Sequence, residues 1–420
     1  MLAYDADPDE NFWVPGNFIF EESNSVPDQR LENIGLRVRG NSSRNRPEGD
    51  SGKLHNPENP KWRQSSFALW FDKYVDDLRF EELDRLDLRY IREDPMRIRE
   101  VYCFNLYYLA EVYTSPLISM CRFYIKVVGG ASDPGYFGIF KMREHVEKDY
   151  LAARQTIFGD NNPGDKRAFL WKADFGASLG NYDPAVVDSP IYELQTGTSH
   201  SAEALEQLTD FIKNLVTLEG DELKAWANET IDVPVLMKTY LINVICGNQD
   251  DYWFNANNYN FYFNTHGKFY FIPNDFDPVL GCGWTGDVGR KNLYHWGVES
   301  NPLIEKLLNI TEFRQMYKDA FIELTDTETG LFHVSKSIPR IEKWQSLIND
   351  YIWDDTIHMA CDKPDAGCVL PPKGQNLQTP YEDSVAYWAS PENKPYKLLE
   401  TGENNYFEVS GSPARAEDSK

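Results

Sequence analysis

No apolar run in the 420-residue sequence approaches the ~18–20 residues that a bilayer-spanning helix requires. Zinc-ribbon spacing is missing too, because Cys103, Cys121, Cys246, Cys282, Cys361 and Cys368 form no Cys-x-x-Cys pair. The seven histidines make no His-Glu-x-x-His, which argues against a zincin. No Walker loop is present, and Gly129-Gly130 to Gly135 reads as a hairpin connection. Positive charge is scarce: 42 Lys and Arg stand against 66 Asp and Glu, a net charge of −24. Nucleic acid and anionic membrane surfaces are therefore poor partners, since both select for basic patches.

What is abundant is core material. Hydrophobic residues make up 41% and aromatics 14%, which excludes global disorder. Residues 1–30 read as an irregular acidic lead-in, and 361–420 as a loop and flexible tail. Between them, 31–360 reads as a single α+β domain that turns helical from about 300. Ile34, Leu36 and Val38 alternate with Arg37 and Arg39, the period of a half-buried strand. Phe67–Phe71 and Leu86–Tyr90 predict two further strands, and Met96–Val112 a helix. Arg122–Val128 and Tyr136–Met142 predict a hairpin, with a helix over Glu144–Arg154 and a short strand at Phe169–Lys172. A helix-rich stretch covers about 200–248; its last helix carries Asp232 as cap, Pro234 in the first turn and Gly247 as terminator. Tyr259–Phe263 and Lys268–Ile272 flank Asn264-Thr265-His266-Gly267, a hairpin turn signal.

The chemistry concentrates around that hairpin. Asn248-Gln249-Asp250 follows a helix, and Pro273-Asn274-Asp275-Phe276-Asp277 follows a strand. Element ends beside a sheet are where a rigid scaffold presents reactive groups. Asp275 and Asp277, two residues apart, invite a hard cation with oxygen ligands such as Mg²⁺ or Mn²⁺. Asp250 is a separate carboxylate returned to the same neighbourhood by the hairpin, and Asn258 adds a neutral oxygen ligand. Protein kinases order a hydroxyl-orienting Asp, a metal-binding Asn and a metal-binding Asp in the same way. Cations for phosphate must come from elsewhere: Arg37 and Arg39 share a strand face, Arg44 follows in a turn, Lys61 and Arg63 precede a strand, and Lys172 ends another. Glu144 sits where a strand meets a helix and can pair with such a cation.

At these positions the sequence resembles the CotH family of atypical kinases. The resemblance runs through Leu36-Arg37-Val38-Arg39-Gly40-Asn41-Ser42-Ser43-Arg44, Phe67–Lys73, Gly138–Glu144, Asn248–Asp250, Asn258–Tyr262 and Ile272–Asp277, in the family's order. It implies an atypical protein-kinase-like fold, with a mixed or antiparallel sheet, that moves the γ-phosphate of ATP to Ser or Thr hydroxyls of a protein with Mg²⁺ or Mn²⁺. Carried over, Asp250 orients the acceptor hydroxyl, while Asp275, Asn258 and Asp277 serve the metal. Arg37, Arg39, Asn41, Ser43, Arg44, Lys61, Arg63, Glu144 and Lys172 are the nucleotide-side candidates. The chain departs from the pattern at Gln64-Ser65-Ser66, where the family has lysines, and at Asn274, where it has Trp. A lengthened Asp-to-Asn interval makes Asn255 an alternative to Asn258.

Two other readings stay open: a catalytically silent binding or adhesion protein on the same scaffold, and a carbohydrate-active protein. Asn41-Ser42-Ser43, Asn228-Glu229-Thr230 and Asn309-Ile310-Thr311 match the glycosylation pattern. With Cys361 and Cys368 bracketing a turn-rich loop, they point to a secreted or cell-surface protein. The acidity favours a basic acceptor protein.

Overall fold

The computed structural model describes residues 12–21, 29–40, 65–91, 94, 96–126, 135–159, 167–277, 279–281 and 291–351. The chain forms two compact units. One comprises residues 1–95, 117–150 and 346–377; the other comprises 96–116, 151–345 and 378–420.

In the first unit six antiparallel strands form a sheet: β1 (Val14–Phe20), β2 (Gln29–Arg39), β3 (Ser66–Trp70), β4 (Arg85–Tyr90), β5 (Ile118–Ile125) and β6 (Gly135–Glu144). Their spatial order is β1-β2-β3-β4-β6-β5. β1 lies within the stretch expected to be irregular. Its own alternation decides the matter: Phe18 packs edge-on to Phe71 and Phe80, and Phe20 to Phe80, so one face has a core to join. That core holds Ile34, Phe67, Leu69, Leu86, Leu88, Phe137 and Phe140, all buried.

The opposite face of this sheet is charged, and the register shows how. Arg37 pairs with Ala68, Ala68 with Asp87 and Asp87 with Arg143, while Arg39 pairs with Ser66 and Arg89 with Lys141. Directly opposed residues share a face. Two neighbouring rows therefore bring Arg37, Arg39, Arg89, Lys141 and Arg143 around Asp87.

The second unit is helical around a four-stranded antiparallel sheet, ordered β10-β9-β7-β8. The strands are β7 (Phe169–Ala173), β8 (Tyr192–Leu194), β9 (Tyr259–Phe263) and β10 (Phe269–Pro273). β9 and β10 are buried along their whole length, which explains their near-continuous aromatic sequence. Phe211 stacks on Phe269 at 4.5 Å, and Tyr240 lies edge-on to Phe271 at 5.1 Å. Asp232 caps the helix Val233–Ile245 by accepting from Val235 N at 3.4 Å, with Pro234 in the first turn. Gly247, at φ 70°, takes the left-handed conformation that turns the chain out of this helix. The later helices are Pro302–Leu308, Thr311–Thr325 and Val334–Ile348.

Candidate active site

The exit from helix Val233–Ile245 builds the first half of the site. Asn248 makes three connections there. Its Oδ1 accepts from Asp250 N at 3.1 Å, its Nδ2 donates to the Asp275 carbonyl at 3.0 Å, and its own carbonyl accepts from Trp296 Nε1 at 3.0 Å. One buried amide side chain thus joins the Asp250 loop to the segment that leaves β10. Pro273 ends the β9–β10 ladder, since it has no N–H to donate.

Asp250 is half-buried and held by three asparagines. Its Oδ1 accepts from Asn255 Nδ2 and Asn257 Nδ2, both at 2.8 Å, and its Oδ2 from Asn258 Nδ2 at 2.6 Å. The neighbouring Asp251 has a different task. Its Oδ1 accepts from Phe254 N at 2.9 Å and caps the short helix Tyr252–Asn255, while its Oδ2 takes the Asn243 amide. Burial raises the Asp251 pKa to about 7, against the lowering effect of its backbone and Asn243 hydrogen bonds. Asn243, Asn248, Asp251, Asn258 and Asn274 contribute polar lining to one small pocket.

The second half is acidic. Glu100, Asp275 and Asp277 bring carboxylate oxygens within 4.8 Å of one another. Helix Arg99–Leu109 supplies Glu100 in its first turn. Phe276, between the two aspartates, is buried and lies 5.3 Å edge-on from both Phe104 and Tyr107 of that helix. Glu100 lies one turn before Phe104 on the same helix face, so docking of Phe276 explains why the three carboxylates meet. Three hard oxygen donors in this space suit Mg²⁺ or Mn²⁺ rather than a soft metal.

The sequence-derived residues thus fall into groups. Asp250 and Asn258 come together in direct contact, and Asp275 and Asp277 meet with Glu100. Asn255 contacts Asp250 as Asn258 does. Arg37 and Arg39 lie on the charged sheet face of the first unit. The Arg37 guanidinium lies 4.8 Å from the Trp13 ring centre, and Arg39 forms an ion pair with Asp87. Asp87 also contacts His145 Nδ1 at 3.2 Å. Burial, followed by the nearby Arg39 charge, lowers the His145 pKa to about 3, so this ring is neutral at ordinary pH. Glu144 ends β6, where its Oε2 accepts from Leu117 N at 3.0 Å. Lys172 is on β7 and its ammonium lies 2.9 Å from Asp174 Oδ1 and 3.8 Å from Glu193. Asn41, Ser43, Arg44, Lys61, Arg63, Cys282, Cys361 and Cys368 lie outside the described residues.

Four contributors escaped sequence reasoning. Glu100 gives no local signal, because its partners are far along the chain and only Phe276 brings them to it. Lys141 and Arg143, 3% and 4% exposed, were legible in principle, because they alternate with Phe140 and Met142 along a strand. Asn257 stands inside the lengthened interval between Asp250 and Asn258, where its spacing alone gives it no distinct role.

The α+β architecture with antiparallel sheets, an amide-held Asp250 and a strand-end Asp pair is compatible with a kinase-like class of protein. A comparison with protein families agrees: CotH kinase protein matches residues 36–361. The chain belongs to this family, whose fold is kinase-like. Among individually curated proteins, none matches the chain.

Proposed function

We propose that this protein transfers the γ-phosphate of ATP to Ser or Thr hydroxyls of a protein substrate. The observation that carries the reading is Asn248, which couples the loop of a firmly held carboxylate, Asp250, to Asp275 in the acidic cluster. In this reading Asp250 orients the acceptor hydroxyl and receives its proton. The acceptor oxygen forms a bond to the γ-phosphorus as the bond to the β–γ bridging oxygen breaks, and ADP leaves with that electron pair. Asp275, Asp277 and Glu100 would hold Mg²⁺ or Mn²⁺, and Asn258 keeps its amide oxygen for the same task. A bound divalent ion neutralises phosphate charge and fixes the γ-phosphoryl group. On the sequence resemblance, Arg37 and Arg39 are the proposed candidates for phosphate recognition.

The test is incubation of purified full chain with Mn²⁺ and labelled ATP, alongside Asp250→Ala and Asp275→Ala. Incorporation by the wild type that both substitutions abolish supports the reading. Equal incorporation by all three proteins overturns the site assignment. If the wild type neither incorporates label nor shifts its unfolding temperature with ATP and Mn²⁺, the protein is instead a silent binding member of its family.

The proposal extends to partner and compartment. A strongly acidic chain favours a substrate rich in Lys and Arg. The sequon residues Asn228 and Asn309 are exposed, as acceptors in a secreted or cell-surface protein must be. Expression through a secretory host should give a glycosidase-sensitive mass increase; secreted chain without any increase would remove this support.

A further inference from the structure

The amides around Asp250 limit where an acceptor can dock. An ionised carboxylate only accepts hydrogen bonds, and its two oxygens offer about four sites. This chemistry also fixes the orientation of Asn255, Asn257 and Asn258, because a rotated amide would present oxygen to oxygen. Two amides engage Oδ1 and one engages Oδ2. The remaining acceptor site therefore lies on Oδ2, beside Asn258.

The loop is shaped to deliver this arrangement. Asn255 N and Asn257 N both donate to the Asp251 carbonyl, at 3.0 and 3.2 Å. Ala256 and Asn258 each adopt φ 51°, in the left-handed region that non-glycine residues seldom occupy. The chain accordingly coils around Asp250 at some conformational cost. Satisfying a half-buried carboxylate does not require that cost, because water can reach it. Three fixed amides add direction: they prevent rotation of the carboxylate and close Oδ1.

We propose that Asn255, Asn257 and Asn258 are positioning residues for the phosphoryl acceptor, which hold Asp250 so that one substrate hydroxyl docks on Oδ2 beside Asn258. The inference rests on Asp250 being the hydroxyl-orienting carboxylate. Its consequence is selectivity between acceptors. A firmly aimed Oδ2 favours a hydroxyl held by a protein chain, and a loosened carboxylate admits water to the same phosphoryl group.

The experiment measures two products in one assay: labelled phosphate on an Arg- and Lys-flanked Ser peptide, and inorganic phosphate released to water. Wild type is compared with Asn257→Ala, Asn257→Asp and Asp250→Ala, with Mn²⁺ and ATP, and unfolding temperatures are recorded for each. Asn257→Ala should lower kcat for the peptide by roughly tenfold to a hundredfold. Its KM for ATP should stay within about twofold, and the ratio of hydrolysis to peptide transfer should rise. Asn257→Asp, isosteric but unable to donate, should lose at least as much. A general folding defect would depress both products together and lower the unfolding temperature, and that result overturns the inference, as does wild-type behaviour of both Asn257 variants. If Asp250→Ala retains wild-type transfer, or the wild type transfers none, the reading of Asp250 itself fails and the inference falls with it. Active wild type, inactive Asp250→Ala and unaffected Asn257 variants would reject the inference alone.

Discussion

Asp250 and Asp251 are adjacent in sequence yet have unlike surroundings. Asp250 is half-buried under three amides, whereas Asp251 is buried and its pKa is raised to about 7 chiefly by desolvation. The sign of the resulting pH dependence follows from linkage. An unfolded Asp titrates near pH 4, so between about pH 4 and 7 the folded chain binds one more proton than the unfolded chain. The stability contributed by protonated Asp251 is complete below about pH 4 and is lost as pH rises through about 7. The full span is at most about 4 kcal/mol. Asp251→Asn should flatten the fall in unfolding temperature between pH 4 and 7, because Asn can still cap Phe254 N without titrating. An unchanged slope in that variant would place the effect in another group. Glu100 supplies a second test at this scale. Removing one carboxylate charge weakens a hard-cation site, so Glu100→Gln should require about tenfold more Mn²⁺ for half-maximal thermal stabilisation. A titration that superimposes on the wild type would remove Glu100 from the cluster. Asp250, Asp275 and Asp277 were legible because each follows the end of a predicted element. Glu100 was not, because a ligand set assembled by tertiary packing leaves no spacing to read.

At the scale of elements, the loop that carries Asp250 is held from behind by an aromatic and a glycine. Trp296 donates to the Asn248 carbonyl, and Gly297 follows it against Trp253. A Cβ on Gly297 would lie 2.0 Å from Trp253 Cδ1 and 2.2 Å from the Trp253 carbonyl, and Trp253 is wholly buried. Gly297→Ala must therefore displace backbone or a packed indole, a destabilisation of about 3 kcal/mol. Because the same displacement moves Asn248, activity should fall further than the unfolding temperature explains; a variant with wild-type stability would show that the contact relaxes cheaply. β1 offers a contrasting case. Phe18→Ala removes an aromatic that touches Phe71 and Phe80 and should cost about 2–3 kcal/mol, while Ile19→Ser, on the exposed alternate position, should be nearly neutral. Chemical denaturation of both variants decides whether β1 belongs to the core. Alternation identified β2, β3 and β4 because their polar and apolar faces differ clearly. It missed β1, where Pro15, Gly16 and Asn17 mask the pattern until Phe18. The helix Val233–Ile245 was readable at both ends from Asp232, Pro234 and Gly247, since capping is local chemistry. The charged sheet face was less readable, because cross-strand rows exist only once register is set.

For the whole molecule, the net charge of −24 poses the question of how an acidic chain handles phosphate. Under the proposed function, segregation of charge would answer it. Five cations, Arg37, Arg39, Arg89, Lys141 and Arg143, occupy neighbouring rows of one sheet face, two of them almost fully buried. Charges held there are screened by salt far less than those on the surface. In the proposed function, the acidic surface would face the protein acceptor. Ionic strength should therefore act unequally on the two substrates. Between about 0.05 and 0.3 M salt the screening length falls from ~14 to ~6 Å. The KM for an Arg- and Lys-flanked Ser peptide should rise severalfold over that range, and the KM for ATP, taken at saturating Mn²⁺, should change by less than about twofold. A Ser peptide flanked by Asp and Glu should be the poorer substrate at low salt and should approach the basic one as salt increases. Equal salt response for both peptides would mean that surface acidity plays no part in choosing the acceptor, and recognition would then have to come from contacts close to the transferred phosphate.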